Sequence, residues 1–452
     1  MLIRRHSFLS KVRKFFFKMD EEVYSLRPPL AVRGMTVLDR EAFKKTVFVK
    51  AAVVPKNKLQ PFLKQFKKRR LQRFNLKAAV GVESNVTEKL GLKDHGLVLL
   101  EPGTTLSKDE RDQFNVHGDL IEHKINLSYE NFKPSEVFGA VFPCDLPNLS
   151  AFTQIGHIVH VNLKEQYIPY KTLIAQVLLD KLTFAKTVIH KHNTIDNEFR
   201  TFEFELLGGV PEYVTKVIEY QIAYEFDFSK VFWNSRLSTE HRRLAEMISN
   251  DCIVFDVFAG VGPFAIPLAK KGCTVYANDL NPESFKWLEH NAKLNKTKLN
   301  CFNMDGRDFL KQELKKFFLL LSGNETEVHV VMNLPEIAIE FLDVFNNLLQ
   351  PTSSSDSDTD PTSHIIDTDA LENCALHVHC YTFTPLTDAK DLIATRFENH
   401  FGQPMPKNCS VHQVRSVAPY KRMFCISFLA NKDILLFDHT ASMEPDKKRI
   451  KL

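Results

Sequence analysis

The stretch Ile253–Gly272, IVFDVFAGVGPFAIPLAKKG, decides the fold. Ile253, Val254 and Phe255 read as a buried strand that ends at Asp256, and a glycine turn then leads into an apolar helix. A strand passing through such a turn into a helix opens a doubly wound sheet, and Gly260 and Gly262 let a ligand approach the backbone. The following strand, Thr274 to Asn278, ends in Asp279, where these folds place an acid that accepts both hydroxyls of a ribose. Asn281 and Pro282 read as the cap and first turn of the next helix. A third strand, about Leu299 to Asn303, runs into Asp305-Gly306-Arg307-Asp308, where a carboxylate can accept from an exocyclic adenine amine. Asp256, Asp279 and Asp305 thus follow successive strands. Pro263 stands directly after Gly262, and the third glycine that seats a pyrophosphate is missing. A phosphate-free nucleoside such as S-adenosyl-L-methionine fits this turn better than a dinucleotide.

Outward from this unit, the region 230–452 alternates short buried strands with amphipathic helices, which predicts a Rossmann-like α/β domain with a parallel sheet. Its fourth strand, Val328 to Met332, ends in Asn333-Leu334-Pro335, the strand end that faces the acceptor in class I methyltransferases. Enzymes of that class acting on amino groups generally carry an Asn/Asp-Pro-Pro-aromatic tetrad there. Asn-Leu-Pro-Glu breaks it, so an exocyclic amine is not the expected target. The Ser/Asp/Thr/Pro-rich segment 350–370 is too polar to bury itself and reads as a flexible insertion, after which strands are expected at Ala375 to Phe383, Val411 to Val417 and Met423 to Leu429. Upstream, 26–126 reads as a small α/β module with a basic helical stretch. The region 127–229 reads as a middle α+β domain with a strand pair bracketing Gly208-Gly209.

The 452-residue chain is 44% hydrophobic and 25% charged, the balance of an ordinary globular protein, and no apolar run approaches the roughly 20 residues of a membrane span. A net charge of +4 leaves polyanion affinity to local clusters such as Lys64 to Lys77, which equally suits a solvated helix face. The eight cysteines show no CxxC spacing; His377, His379 and Cys380 are a tight group that falls short of a ligand set, so no metal is expected. Residues 1–25 begin with 19 residues that are basic and acid-free, like a mitochondrial presequence. Met19, followed by Asp20, Glu21 and Glu22, offers a second start for a cytosolic form. Lys447-Lys448-Arg449 suits a nuclear signal or a solvated tail, so the matrix, cytoplasm and nucleus are the expected locations, with a monomer as the expected state.

The motif DVFAGVGPFAIPLAKKG, the Asn-Leu-Pro turn and the upstream VFWNSRLSTEHRR together resemble the tRNA (guanine37-N1)-methyltransferases of eukaryotes and archaea. LRPPLAVRGMTVLDREAF near the N-terminus and VRSVAPYKRMFCISF near the C-terminus extend the resemblance from about Leu26 over most of the chain. It implies a three-domain enzyme that moves a methyl group from S-adenosyl-L-methionine to N1 of the tRNA guanine just 3′ of the anticodon. Glu240 is then the general base, Arg200 the partner of O6, and Asn333 the holder of the guanine, with Pro335 fixing its loop. Guanine N1 carries a weakly acidic proton, so a carboxylate must remove it while a cation stabilises charge developing on O6. Arg236, one turn before Glu240, suits orientation of that carboxylate or a phosphate contact. The match also marks His241 and Leu280 as cofactor contacts, beside Asp279, Arg307, Asp308 and Asn333. Phe232 stands where archaeal members have a tyrosine, so the ring is kept and the hydroxyl is absent. Transfer of the cofactor's aminocarboxypropyl group, as in the wybutosine pathway, and a catalytically inactive RNA-binding protein are the competing readings.

Overall fold

A computed structural model describes residues 24–81, 93–149, 151–191, 203–322, 325–350, 368–385, 387–431 and 433–436. The expected presequence, nearly all of the polar insertion and Arg200 lie outside the described residues. The chain divides into two compact units, the first extending through Lys191 with Glu205–Pro211 and the second dominated by Glu212–Leu452.

In the first unit, β1 (Lys45–Pro55), β2 (Ala79–Gly81), β3 (His95–Leu99) and β4 (Ile121–Leu127) form an antiparallel sheet of order β2-β3-β1-β4. β5 (Thr153–Ile155), β6 (Ile158–Val161), β7 (Thr187–Lys191) and β8 (Phe204–Gly209) form a second sheet, in which helix Lys171–Lys181 joins the parallel pair β6 and β7. One apolar core takes Val47, Val49 and Ala51 from β1 together with Val159, Leu173 and Val188. The division expected at 127 is therefore not a division of cores: shared burial joins the two regions. The basic cluster also differs from its reading as a helix face. Helix Lys56–Gln65 stops before most of it, and Arg69 and Arg73 are held in ion pairs by Glu110 and Glu136. Both expected glycines lie within β8, and the hairpin comes later. It pairs β9 (Val214–Glu219) with β10 (Ile222–Asp227) through Tyr220 and Gln221, both at positive φ as a tight hairpin turn requires.

The second unit contains the β9–β10 hairpin and a sheet of seven strands: β11 (Ile253–Asp256), β12 (Thr274–Asn278), β13 (Asn300–Phe302), β14 (Thr326–Met332), β15 (Cys374–Thr384), β16 (Ser410–Ala418) and β17 (Lys421–Leu429). Their order is β13-β12-β11-β14-β15-β17-β16, parallel from β13 to β15, with β17 antiparallel between β15 and β16. Two-residue alternation gives the sheet two buried faces. Val328, Val330 and Met332 of β14 enter one core with Phe309 and Leu342, whereas Val331, Tyr381 and Cys425 face another with Leu237, Leu244 and Phe264. The order reverses direction beside β11, so the ends of β11, β12 and β14 form the crevice where open α/β sheets bind ligands. No helix among the described residues is long and apolar enough to cross a membrane.

Candidate active site

The glycine turn after β11 is held by the acid after β12. Gly260 donates its N–H to Asp279 Oδ2 at 2.8 Å, and Asn281 donates its own to Oδ1 at 2.9 Å. The two glycines have different tasks. Gly262, at φ +98°, has no room for a Cβ, which would lie 2.8–2.9 Å from Ile266 and Leu288, so it serves the packing of the turn onto its helices. Gly260, at φ +55°, has nothing within 4 Å of a Cβ position, so the space beside it is open to a ligand. Asn278 was not singled out by sequence, yet its buried amide donates to Val257 O and Met304 O and accepts from Met304 N–H. It thereby ties the loops after β11 and β13 together.

Asp256 is fully buried, and the backbone N–H groups of Phe258 and Ala265 approach its carboxylate without reaching normal hydrogen-bond geometry. Burial, reinforced by the neighbouring charge of Asp279, pushes its carboxyl up to about 8. Burial also raises Asp279, to about 6, against the pull of the Asn281 and Gly260 N–H groups. Asn333 at the end of β14 has a buried Oδ1 without a partner among the described residues. Unpaired buried acceptors are rare and costly in folded proteins, and the Asn333 Oδ1, together with the open glycine turn, points to a binding crevice.

The remaining residues expected to contact the cofactor divide. Leu280 is 39% exposed, and its carbonyl, like that of Asp279, accepts from Asn303 Nδ2. Asp305 caps the short helix Gly306–Phe309 by accepting from Arg307 N–H at 2.8 Å. Gly306 is required by packing, since a Cβ there would stand 2.9 Å from Phe258. Arg307 is paired with Asp343, donates to Glu340 O and lies 4.5 Å over Phe341. Asp308 is exposed, and His241 is buried with Nδ1 2.9 Å from Glu219 and its ring edge-on to Phe264.

Glu240, the expected base, lies in the first turn of helix Ser238–Met247 and is 3% exposed. Arg243, one turn on, grips both its oxygens, Nη2 to Oε1 at 2.6 Å and Nε to Oε2 at 2.7 Å. Tyr381 of β15 donates its hydroxyl to Oε1 at 2.8 Å, and His412 of β16 stands 3.6 Å from Oε2. Oε1 is thus fully occupied, and Oε2 keeps a lone pair on the side of His412. Burial keeps the Tyr381 phenol well above its usual range, so it remains a donor. Arg243 carried a sequence signal in its i,i+3 spacing from Glu240. Tyr381, 141 residues away, carried none. Arg236 is exposed and close enough to Arg415 that its charge, after burial, lowers the Arg415 pKa. Pro335 fixes the turn by accepting the Phe383 N–H at 2.8 Å. Beside it a shallow cleft of about 370 Å³ is lined by Phe383, Pro385, Pro419, Tyr420 and Lys421.

The TRM5/TYW2 methyltransferase domain matches residues 215–353, and the TYW2 N-terminal domain matches 136–212. The tRNA (guanine(37)-N(1))-methyltransferase of Ciona intestinalis is 45% identical over 96% of this chain and 95% of its own length. The chain belongs to the tRNA (guanine37-N1)-methyltransferase family. The Homo sapiens member is 41% identical, over 97% of this chain and 85% of its own. Among solved structures, the complex of aTrm5 with tRNALeu matches with a TM-score of 0.55 at 20% identity, covering 85% of this chain and all of that one. The fold of the family is therefore the fold of this chain, including the class I methyltransferase sheet.

Proposed function

We infer that this protein methylates N1 of guanosine 37 in tRNA, with S-adenosyl-L-methionine as donor. Beyond family membership, the observation that carries the reading is the buried Glu240 carboxylate, held by Arg243 and Tyr381 with one lone pair left on Oε2. The Asn333 Oδ1 left without a partner among the described residues, the Asp279 carboxylate and the open space at Gly260 suit a nucleoside. When bound, S-adenosyl-L-methionine supplies an electrophilic methyl carbon on its sulfonium.

The chain's own residues then perform the remaining work. Gly260 gives the nucleoside close access, while Asp279 holds the turn and offers its remaining lone pairs to ribose hydroxyls. Asn333 Oδ1 accepts from the guanine edge and orients N1. Glu240 Oε2 takes the N1 proton as N1 attacks, and Arg200 neutralises charge on O6. Arg236 and Arg415, whose positive charges adjoin, suit phosphates of the tRNA backbone. We further propose that residues 1–25 direct part of the protein to the mitochondrial matrix; the fusion of that segment to a fluorescent protein reports its destination.

The test is transfer of labelled methyl to unmodified tRNA bearing guanosine 37, with wild type and Glu240→Gln compared and the product mapped by mass spectrometry. N1-methylguanosine at position 37, lost in Glu240→Gln, supports the reading. An aminocarboxypropyl adduct, or cofactor binding without transfer, overturns it.

A further inference from the structure

The face of the sheet that carries Tyr381 holds a second polar cluster at the opposite, N-terminal end of the parallel strands. Cys252 lies just before β11, Glu327 and His329 lie on β14, and His377 lies directly opposite His329 in the β14–β15 register. Their donor atoms converge. Cys252 Sγ is 3.2 Å from Glu327 Oε2, while His329 Nε2 and His377 Nε2 stand 3.0 and 3.7 Å from Glu327 Oε1. Ligand atoms of Cys252, Glu327 and His329 all fall within 4.8 Å of one another. A tetrahedral zinc ion with bonds of about 2.0–2.3 Å separates its ligands by roughly 3.3–3.8 Å, so small rotations bring Cys252, Glu327 and His329 onto one ion, and His377 completes the shell by turning its ring inward from the Glu327 side.

A hydrogen-bonded relay behind His329 supplies the second observation. His329 Nδ1 is 3.0 Å from His379 Nε2, and His379 Nδ1 is 2.9 Å from Ser427 Oγ. When His379 donates to Ser427, its Nε2 accepts the Nδ1–H of His329, which leaves the His329 Nε2 lone pair bare toward Cys252 and Glu327. That atom is buried, and its one close neighbour is Glu327 Oε1 at 3.0 Å, which it meets outside normal hydrogen-bond geometry. A ring whose far nitrogen is fixed by such a partner is the arrangement that metal-ligating histidines use. The rings of His329 and His377 stack at 4.8 Å and 13°, so both present Nε2 on the same side, and His377, with a third of its side chain exposed, opens a path from solvent. Cys380, next to His379 in sequence, points into the opposite core and plays no part.

We propose that Cys252, Glu327, His329 and His377 bind one divalent ion of the zinc class, which clamps β11, β14 and β15 at the end of the sheet away from the methyl-transfer site. Mixed thiolate, imidazole and carboxylate donors in a closed shell suit zinc in a structural role. Binding releases the thiol proton of Cys252 to solvent, and no electron is transferred.

The full chain, freed of any histidine tag, is dialysed and its metal content measured by elemental mass spectrometry; about one zinc per chain is expected. Replacement by cobalt is expected to give thiolate-to-cobalt charge-transfer absorption and the visible bands of a tetrahedral site. Cys252→Ser removes the charge-transfer band, and His377→Ala weakens metal binding at least tenfold, while Cys409→Ser leaves both unchanged. Should Cys252→Ser fail to fold, His377→Ala at its partly exposed position decides alone. Absence of stoichiometric metal after zinc is supplied, with a melting temperature indifferent to zinc and chelator, overturns the proposal. So does metal retained at wild-type affinity in His377→Ala.

Discussion

Tyr381→Phe isolates the grip on the Glu240 carboxylate. The phenol ring is fully buried, and its hydroxyl sits 2.8 Å from Oε1, so the substitution removes one donor and leaves the ring packing against Phe264 in place. A hydrogen bond to a charged acceptor contributes about 1.5–3 kcal/mol. Arg243 still satisfies Oε1, so the loss falls to the lower half of that range, about 1.5–2 kcal/mol in the unfolding free energy. Chemical denaturation of wild type, Tyr381→Phe, Glu240→Gln and the double variant forms a cycle, with an expected coupling of about 1 kcal/mol. In steady-state transfer to tRNA, kcat is expected to fall roughly tenfold, the equivalent of about 1.4 kcal/mol, with KM for the cofactor unchanged. A Tyr381→Phe protein within about 0.3 kcal/mol of wild type, with no coupling to Glu240→Gln, would refute the argument that the hydroxyl holds the carboxylate.

Three further outcomes are expected. Gly260→Ala costs about 1 kcal/mol for its left-handed backbone but adds a methyl group to open space, so it is expected to fold and to bind S-adenosyl-L-methionine more weakly in calorimetry; Gly262→Ala, clashing with Ile266 and Leu288, is expected to lose about 2–4 kcal/mol of stability. Because Asp256 is raised to about 8, the folded apo-protein holds a proton there that the unfolded chain has lost above the usual carboxylate range. That contribution to stability is complete below the unfolded value and is lost as pH rises through about 8, with a limiting slope of about 1.4 kcal/mol per pH unit. Asp256→Asn should therefore gain on wild type as denaturation is repeated from pH 6 to pH 8, and parallel curves would show that the carboxyl is not protonated. Arg236→Ala combined with Arg415→Ala is expected to weaken tRNA binding and to reduce the slope of log K against log salt by about 2. A slope equal to that of wild type would remove both arginines from the interface.

Much of the second unit was legible because its signals are local. Apolar runs of strand length, glycines and acids at strand ends, and Asn281 before Pro282 arise from steric and capping requirements that span only a few residues. The strands expected at Ala375 to Phe383, Val411 to Val417 and Met423 to Leu429 are present within β15, β16 and β17 for the same reason. The basic cluster was misread as a helix face because its neutralising partners, Glu110 and Glu136, are 41 and 63 residues away from Arg69 and Arg73. The core shared across residue 127 was not legible because it is a property of packed side chains, not of composition.

The sequence by itself determined the strand-to-glycine-to-helix unit, the succession of acids at strand ends and the kinship with a tRNA methyltransferase family, since each is written in short spacings. Tertiary structure alone decided which of those residues are free to bind. It set Gly260 apart from Gly262, engaged Arg307 with Asp343 and Phe341, left Asn333 Oδ1 without a partner among the described residues, and brought Tyr381 to Glu240 across 141 residues. It also placed Cys252 beside Glu327 and His329, because adjacent strands of a parallel sheet come from distant parts of the chain. A side chain's chemistry is set by its type, but whether its polar atoms are spent on neighbours or left for a ligand depends on contacts that form only when the sheet assembles.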